Sequence, residues 1–182
     1  MLKSTLVNLT LLGLIIFSSL SFANRQRPDY SLPLKVNFSQ LTPKAQQEVR
    51  CLADNIFYES AKEPEQGKVA VAFVTLNRVK SGQFPGTICE VVKQKTQNVC
   101  QFSWYCEADA RSKSLTKRLP TLYNDILKLA TEVYINHDKM KDPSKGALFY
   151  HADYVNPQWP NMRRTIVIGR HIFYNKAKRS LS

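Results

Sequence analysis

Residues 42–64 read TPKAQQEVRCLADNIFYESAKEP, and this stretch predicts a helix that carries acids on its buried face. Thr42 is a typical N-cap residue, and Pro43 suits the first helical position. Apolar residues then recur at spacings of three and four, which mark one face of a helix: Val49, Leu52 and Ile56. The same stripe continues onto Glu59 and Glu63, directly before a proline that ends the helix. Glu59 and Glu63 therefore occupy positions at which the helical spacing predicts apolar core residues.

A carboxyl group on this buried stripe is a candidate general acid. Burial disfavours the ionised form and raises the pKa of Glu59, as a proton donor near neutral pH requires. An ion pair with an arginine, or a helix cap, would produce the same pattern, so the spacing alone leaves both interpretations open. Glu63 is either a second carboxylate of the same site or an acid that orients the next helix.

The rest of the chain predicts two more helices and then strands. A second helix over residues 65–80, closed by Ser81-Gly82, has a broad apolar face and is expected to be the buried central helix. Residues 83–106 are expected to form loops and short strands, and a third helix follows Pro120. Strands are predicted for three later segments: 147–155, 165–168 and 171–174. Between the last two, Gly169-Arg170 is a two-residue hairpin signal with glycine first.

The first 23 residues have the pattern of a secretory signal peptide. A lysine at the start precedes a mostly apolar run over residues 6–20, and residues 21–23 (SFA) form a small-x-small cleavage site. The run is short for a membrane span and no comparable stretch follows, so no stable membrane insertion is expected after cleavage. Residues 24–43 are expected to be an extended leader, and residues 177–182 a basic tail. The chain is therefore predicted to be periplasmic or secreted.

Export changes the interpretation of the cysteines, because an oxidising compartment turns an even number of them into disulfides. Cys51, Cys89, Cys100 and Cys106 are expected to be structural, and all three possible pairings remain open. Their spacing fits no zinc site. The chain also lacks a phosphate-binding glycine loop, so neither a metal nor a cofactor is expected.

The formal net charge of +12 predicts an anionic partner. Cell wall polymer, a membrane surface and nucleic acid all satisfy that condition. Nucleic acid is disfavoured, because lysines and arginines are spread thinly along the chain and no acidic metal ligands of a nuclease are recognisable. Ser103 lacks the glycines of a nucleophile elbow, so serine hydrolysis is not supported either.

Several blocks occur in an order that is specific when they are taken together. They are residues 51–59 (CLADNIFYE), 63–64 (EP), 67–72 (GKVAVA), 76–79 (LNRV), 84–89 (FPGTIC), 100–104 (CQFSW), 150–152 (YHA) and 171–174 (HIFY). In this order they resemble the SleB-type cell wall hydrolase family, which includes spore cortex-lytic enzymes. The likeness spans about residues 50–174.

The resemblance implies an α+β fold, with a lysozyme-like or lytic-transglycosylase-like helical core and a small antiparallel sheet, over residues 44–176. It implies cleavage of peptidoglycan glycan strands between N-acetylmuramic acid and N-acetylglucosamine, by a lytic transglycosylase or a muramidase. Glu59 falls on the family's catalytic glutamate, and would act as general acid and base. A water positioned by Glu63 or Asp153 would make the enzyme a muramidase.

Substrate contacts are expected from Tyr150 and Trp159, whose rings suit sugars, and from His151 as a polar group of the cleft. Glu63 is expected to bind substrate as well.

The chain departs from the family pattern next to the glutamate. Where the family usually continues with Ala-Arg-Gly-Glu, residues 60–63 read SAKE, and Lys62 cannot reproduce a bidentate guanidinium. Leu148 and Phe149 replace a more polar pair. The alternative function is therefore a peptidoglycan-binding protein that does not cut its ligand.

Overall fold

The computed structural model describes residues 36–97, 99–106 and 116–177. The helices are α1 (Pro43–Ser60), α2 (Glu65–Ser81), α3 (Ile88–Val92), α4 (Ser103–Cys106) and α5 (Pro120–Asn136). The strands are β1 (Lys95–Thr96), β2 (Val99–Cys100), β3 (Phe149–Ala152), β4 (Met162–Ile168) and β5 (His171–Lys176). The predicted α+β fold with a helical core and a small antiparallel sheet is confirmed. The expected signal peptide lies outside the described residues, as do residues 178–182 of the expected tail.

Helix α1 begins as the sequence predicts. The Thr42 hydroxyl oxygen accepts the backbone N–H of Ala45 at 3.3 Å, and a proline occupies the first turn. The three apolar residues of the stripe are fully buried: Val49, Leu52 and Ile56.

The end of α1 differs from the prediction, because the helix stops at Ser60 rather than directly before Pro64. A residue that precedes proline is disfavoured in the helical region, so the chain leaves the helix before Glu63. The backbone N–H of Glu63 donates to the Ser60 carbonyl at 2.9 Å and closes a turn. Glu59 therefore lies in the last turn of α1, and Glu63 lies in the junction that leads to α2.

Helix α2 is the buried central helix, as predicted. Every residue from 69 to 76 is buried, and Gly82 closes the helix with a φ of +67°. The helix is buried on two sides, because it packs into the helical core and also beneath the sheet, against Ala147, Ile168 and Phe173. A buried hydrogen bond of 3.1 Å, from the Asn55 side-chain amide to the Thr75 hydroxyl, joins α1 to α2.

Residues 83–106 contain helices where loops and short strands were expected. The Thr87 hydroxyl accepts the N–H of Glu90 at 3.2 Å and caps α3, whose apolar residues then face the core. The short spacing of these residues fits one turn of helix as well as a strand, which is why the pattern misled. Among the described residues of this region, strand pairing is confined to the brief β1–β2 pair.

The cysteines form structural disulfides, as predicted, and the fold selects the pairing. Cys51–Cys89 links α1 to α3, and Cys100–Cys106 links β2 to α4.

The main sheet is antiparallel with strand order β3-β5-β4, and its strands confirm the three predicted segments. Gly169 takes a φ of +57° in the tight turn between β4 and β5. Tyr150 pairs with Phe173 and His151 pairs with Ile172. Because side chains alternate along a strand, Tyr150 and His151 point to opposite faces of the sheet.

The described part of the leader is not simply extended. Phe38–Gln40 forms a 3₁₀ turn, in which the Gln40 side chain accepts the N–H of Asn37 at 2.8 Å. The Arg50 guanidinium lies 4.7 Å above the Phe38 ring and holds this turn against α1. In the described ranges, no helix is both long enough and apolar enough to cross a membrane.

Candidate active site

The end of α1 faces the β4–β5 turn across a cavity of about 490 Å³, which we call the Glu59 cleft. One wall is residues 57–63, and the opposite wall comes from the end of β3 and the start of β5. The cleft is lined by residues 57–63, Leu119, Leu122, Ala152, Tyr154, Arg170 and His171. Its volume is within the range of about 300–1,000 Å³ that is usual for ligand sites.

Glu59 lies in this cleft with its carboxyl group tied to the sheet. The Tyr150 hydroxyl donates a hydrogen bond of 3.0 Å to Oε2 of Glu59. Burial raises the pKa of Glu59, while the bond from Tyr150 and the positive charge of Arg78 lower it in part. Burial prevails, so the group favours its protonated form more than an exposed glutamate does. This is the state that a general acid requires.

Arg78 is the buried cation beside this pair, and the sequence analysis missed it. The side chain is only 3% exposed, and its Nε donates to the Leu148 carbonyl at 2.8 Å. Aromatic rings surround the guanidinium at 5.0 to 5.8 Å: Phe84, Phe102 and Phe149. A signal was present, because Val71, Val74 and Arg78 continue the helical spacing of the buried face of α2.

Glu63 anchors the β4–β5 turn. Its Oε2 accepts the backbone N–H of Arg170 at 2.9 Å. A Cβ atom built on Gly169 would overlap that same oxygen, so the approach depends on glycine. The Lys68 ammonium donates to the backbone carbonyl of Glu63 at 2.8 Å. Glu63 therefore lines the Glu59 cleft with one of its carboxylate oxygens already engaged.

Asp153, the other acid considered for positioning water, is paired with Arg170. The Arg170 guanidinium contacts the Asp153 carboxylate at 3.1 Å and lies 5.4 Å from the Tyr154 ring. Both side chains of the ion pair are substantially exposed. The pair forms the rim of the cleft rather than its floor.

Tyr150 reaches Glu59 from beneath and does not line the cavity. Its ring packs against His171 at 5.2 Å and Phe173 at 5.6 Å. Burial, together with the nearby Glu59 carboxyl, raises the pKa of the Tyr150 hydroxyl well above its usual value, which keeps it a hydrogen-bond donor. Its contact is with the acid rather than with a sugar position.

His151 and Trp159 are not brought into the Glu59 cleft. They lie in a second cavity of about 410 Å³ on the opposite face of β3, which we call the aromatic pocket. It is lined by His151, Asp153, Val155, Asn156, Pro157, Trp159, Met162, Ile172 and Tyr174. The alternation of side chains along β3 separates His151 from its neighbour Tyr150, although the two are adjacent in sequence.

Two further side chains line the wall of the cleft, His171 and Tyr58. Burial lowers the pKa of His171, so this group is neutral near pH 7. The Tyr58 ring stacks on Trp104 at 4.6 Å and extends the aromatic wall next to Glu59. No group of three metal-binding side chains occurs among the described residues.

The model of a protein family described as Cell Wall Hydrolase matches residues 62–174. The chain belongs to this family. The matched part contains α2, β3, β4 and most of β5, and Glu59 lies just before it. The family resemblance predicted from the ordered sequence blocks is thus confirmed.

Individual relatives agree with this assignment. The chain is 29% identical over 131 residues to a spore cortex-lytic enzyme of Bacillus subtilis, covering 69% of this chain and 37% of that protein. A spore cortex-lytic enzyme of Bacillus cereus is 32% identical over 131 residues, covering 71% of this chain and 44% of that protein. The chain thus spans less than half the length of the curated relatives that it matches.

Solved structures cover the same region. The catalytic domain of the germination-specific lytic transglycosylase SleB from Bacillus anthracis is similar with a TM-score of 0.52 and 29% identity, over 71% of this chain and 95% of that domain. The catalytic domain of the Bacillus cereus SleB protein gives a TM-score of 0.50 and 28% identity, over 71% of this chain and 91% of that one. The lysozyme-like, lytic-transglycosylase-like fold implied by the sequence is confirmed.

Proposed function

We propose that this protein cleaves the glycan strands of peptidoglycan between N-acetylmuramic acid and N-acetylglucosamine, with Glu59 as general acid and base. The observation that carries the proposal is a glutamate in a cleft: burial raises the pKa of Glu59, and a partly buried tyrosine, Tyr150, donates a hydrogen bond to it. The family assignment and the lytic enzymes among the relatives support it.

In the first step, Glu59 donates its proton to the glycosidic oxygen as the bond from that oxygen to C1 breaks. Because Tyr150 donates to Oε2, Oε1 is the oxygen suited to carry the transferable proton. The carboxylate that forms keeps the Tyr150 hydrogen bond and the attraction of Arg78. These contacts strengthen as negative charge develops on Glu59, while an oxocarbenium-like sugar develops beside it.

In the second step, the C6 hydroxyl of the muramic acid attacks C1 and gives its proton back to Glu59. The products are a 1,6-anhydro sugar and a new N-acetylglucosamine end, and no water is consumed. We prefer this lytic transglycosylase reaction to hydrolysis, because both acids considered for positioning a water are engaged. Glu63 accepts the N–H of the hairpin turn, and Asp153 is paired with Arg170.

We propose an extracytoplasmic location, periplasmic or secreted, with residues 1–23 as the signal peptide and residues 44–176 as the catalytic domain. The two disulfides support an oxidising compartment. Peptidoglycan is the proposed partner, and its acidic groups suit the net charge of +12. No role in binding nucleic acid is proposed.

Mass spectrometry of soluble products tests the proposal. The purified protein, its Glu59→Gln variant and an exposed control, Glu65→Gln in the first turn of α2, are incubated with purified peptidoglycan. We expect anhydro-muramic ends from the wild type and the control, and none from Glu59→Gln. Reducing muramic ends would make the enzyme a muramidase. No products from any of the three, with binding retained in a pull-down, would leave the alternative of a peptidoglycan-binding protein.

A further inference from the structure

The aromatic pocket has the composition of a binding site but holds none of the groups proposed for catalysis. Its largest side chain, Trp159, is 41% exposed, although its ring is held on three sides. Its centroid lies 5.6 Å from His151 and 6.0 Å from both Tyr174 and Phe149. A partly exposed indole fixed in this way offers a rigid apolar surface at low cost in conformational entropy.

The ring of His151 is fixed by hydrogen bonds on both nitrogens. Nδ1 lies 2.9 Å from the Ala152 carbonyl, which can only accept, so Nδ1 carries a proton. Nε2 lies 3.1 Å from the Tyr174 hydroxyl and forms the second hydrogen bond. The two rings also stack, with an interplanar angle of 20°. The pocket is therefore built before any ligand arrives.

The charge of the pocket distinguishes between two parts of the proposed substrate. No lysine or arginine is among the described residues that line it, and its carboxylate, Asp153, is neutralised by Arg170. A stem peptide carries free carboxylates and would require a cation. A neutral sugar needs an apolar face for its C–H groups and polar side chains for its hydroxyl and acetamido groups, and Trp159 and Asn156 supply both.

The pocket adjoins the proposed active site. Successive residues after Tyr150 line the two cavities in turn: His151 and Asp153 the pocket, Ala152 and Tyr154 the Glu59 cleft. The ion pair between Asp153 and Arg170 bridges the rim that separates them. The two cavities are therefore neighbours across this rim, so one glycan strand that crosses the rim could contact both.

We infer that the aromatic pocket is a second glycan-binding site, which holds a neutral N-acetylhexosamine unit of the strand whose cleavage we propose at Glu59. The inference rests on the proposed function for the identity of the polymer, but the pocket itself can be tested without any cleavage. Binding at a distance from the reacting bond would favour long strands over short fragments, because a second contact on the same chain raises its effective concentration.

Tryptophan fluorescence gives a direct readout, because the chain has only two tryptophans. In the double variant Glu59→Gln, Trp104→Phe, Trp159 is the single reporter and no substrate is consumed. Two probes are titrated separately: chitotetraose, a neutral oligomer of N-acetylglucosamine, and the N-acetylated tetrapeptide Ala-Glu-Lys-Ala, which carries a net negative charge because its amino terminus is blocked. We expect a saturable change in emission with the sugar and none with the peptide.

Two alanine variants in the loop that follows β3, one inside and one outside the pocket, test where the sugar binds. Asn156 lines the pocket, whereas the exposed Gln158 does not. By calorimetry in the Glu59→Gln background, Asn156→Ala is expected to raise the Kd for chitotetraose about five-fold, the loss of one net hydrogen bond, and Gln158→Ala to leave it within about two-fold. Calorimetry retains Trp104, so it covers the case in which Trp104→Phe fails to fold.

A response to the peptide alone, no response to either probe, or equal effects of the two loop variants would overturn the inference. Those results would leave cleavage by the wild type untouched. Conversely, a saturable sugar response from a protein that releases no products would keep the pocket and reject the proposed enzyme.

Discussion

The two faces of β3 differ in the environment and the hydrogen-bond partners of their polar side chains. Toward the Glu59 cleft, Tyr150 is partly buried and donates a hydrogen bond to Glu59, whose pKa is raised by burial, and the buried Arg78 lies nearby. Toward the aromatic pocket, His151 and Tyr174 satisfy each other and leave an exposed indole. One face keeps a proton in an environment that disfavours charge, and the other presents a neutral surface. The proposed chemistry and the inferred binding site are thus separated by one alternation of side chains along β3.

The largest expected effect is a difference in activity between variants of Glu59, in the last turn of α1, and of Glu63, in the junction that follows. Glu59→Gln removes the transferable proton, and we expect kcat on peptidoglycan to fall about 10³-fold or more, near the upper part of the range for general acid–base catalysis. Glu63→Gln keeps an oxygen that can accept the N–H of Arg170, so a loss below about ten-fold is expected. Release of anhydro-muramic products measures both. Equal losses would mean that Glu63 takes part in the chemistry.

The next effect concerns the hydrogen bond that joins the sheet to the acid. Tyr150→Phe removes a contact that lowers the pKa of Glu59, so this pKa rises and the alkaline limb of the pH–rate profile moves to higher pH. The rate at the optimum should fall about 10- to 100-fold, since the carboxylate formed in the reaction loses its donor. Tyr134→Phe, on α5 and in neither cavity, is the control. An unshifted profile would contradict the assigned role.

Two glycines with positive φ test how tightly the hairpin is docked. Gly82→Ala meets nothing within 4 Å and should cost only the backbone penalty of about 1–2 kcal/mol. Gly169→Ala carries the same penalty and also overlaps Oε2 of Glu63. We expect it to lower the free energy of unfolding by at least about 1 kcal/mol more and to reduce activity as well. Urea unfolding and product release compare the two variants, and equal costs would show that Glu63 moves aside freely.

The stability cost of the proposed catalytic acid, Glu59, depends on pH. Because burial raises the pKa of Glu59 above its value in the unfolded chain, the folded state binds this proton more tightly. The associated stability is fully present below the unfolded pKa and is lost as pH rises through the folded pKa. Glu59→Gln should therefore have a higher Tm than the wild type at pH 7, and the difference should shrink toward pH 4. If the difference in Tm is the same at both pH values, its cause is not the ionisation of Glu59.

The smallest effect is expected at the aromatic pocket. Tyr174→Phe removes the hydroxyl that holds His151 Nε2 and should raise KM for long glycan strands about three-fold, equivalent to one modest hydrogen bond. The change in kcat should be smaller than that in KM, because the reacting groups lie on the other face of the sheet. If kcat falls more than KM rises, the two faces are coupled and their separation is wrong.

Local sequence patterns predicted the long elements well, because their signals are short in range. The N-cap at Thr42, the closing Gly82 and the Gly169-Arg170 turn are all where the pattern places them. The predictions failed for α3 and α4, since a four- or five-residue apolar segment fits one turn of helix and a short strand equally well. They also predicted that α1 continues to the residue before Pro64, although the helix ends at Ser60.

By itself, the sequence determined the buried position of Glu59, the signals that start and end the long helices, the disulfide character of the cysteines and the family. The first two depend on residue type and spacing along one segment, and the last two depend on residue types and their order along the chain. Only the tertiary structure decided which cysteines pair, that Glu63 holds the hairpin turn, that Arg78 and Tyr150 reach Glu59, and that His151 and Trp159 lie in another cavity. These depend on contacts between residues far apart in the chain, and on a strand register that sends neighbouring side chains to opposite faces.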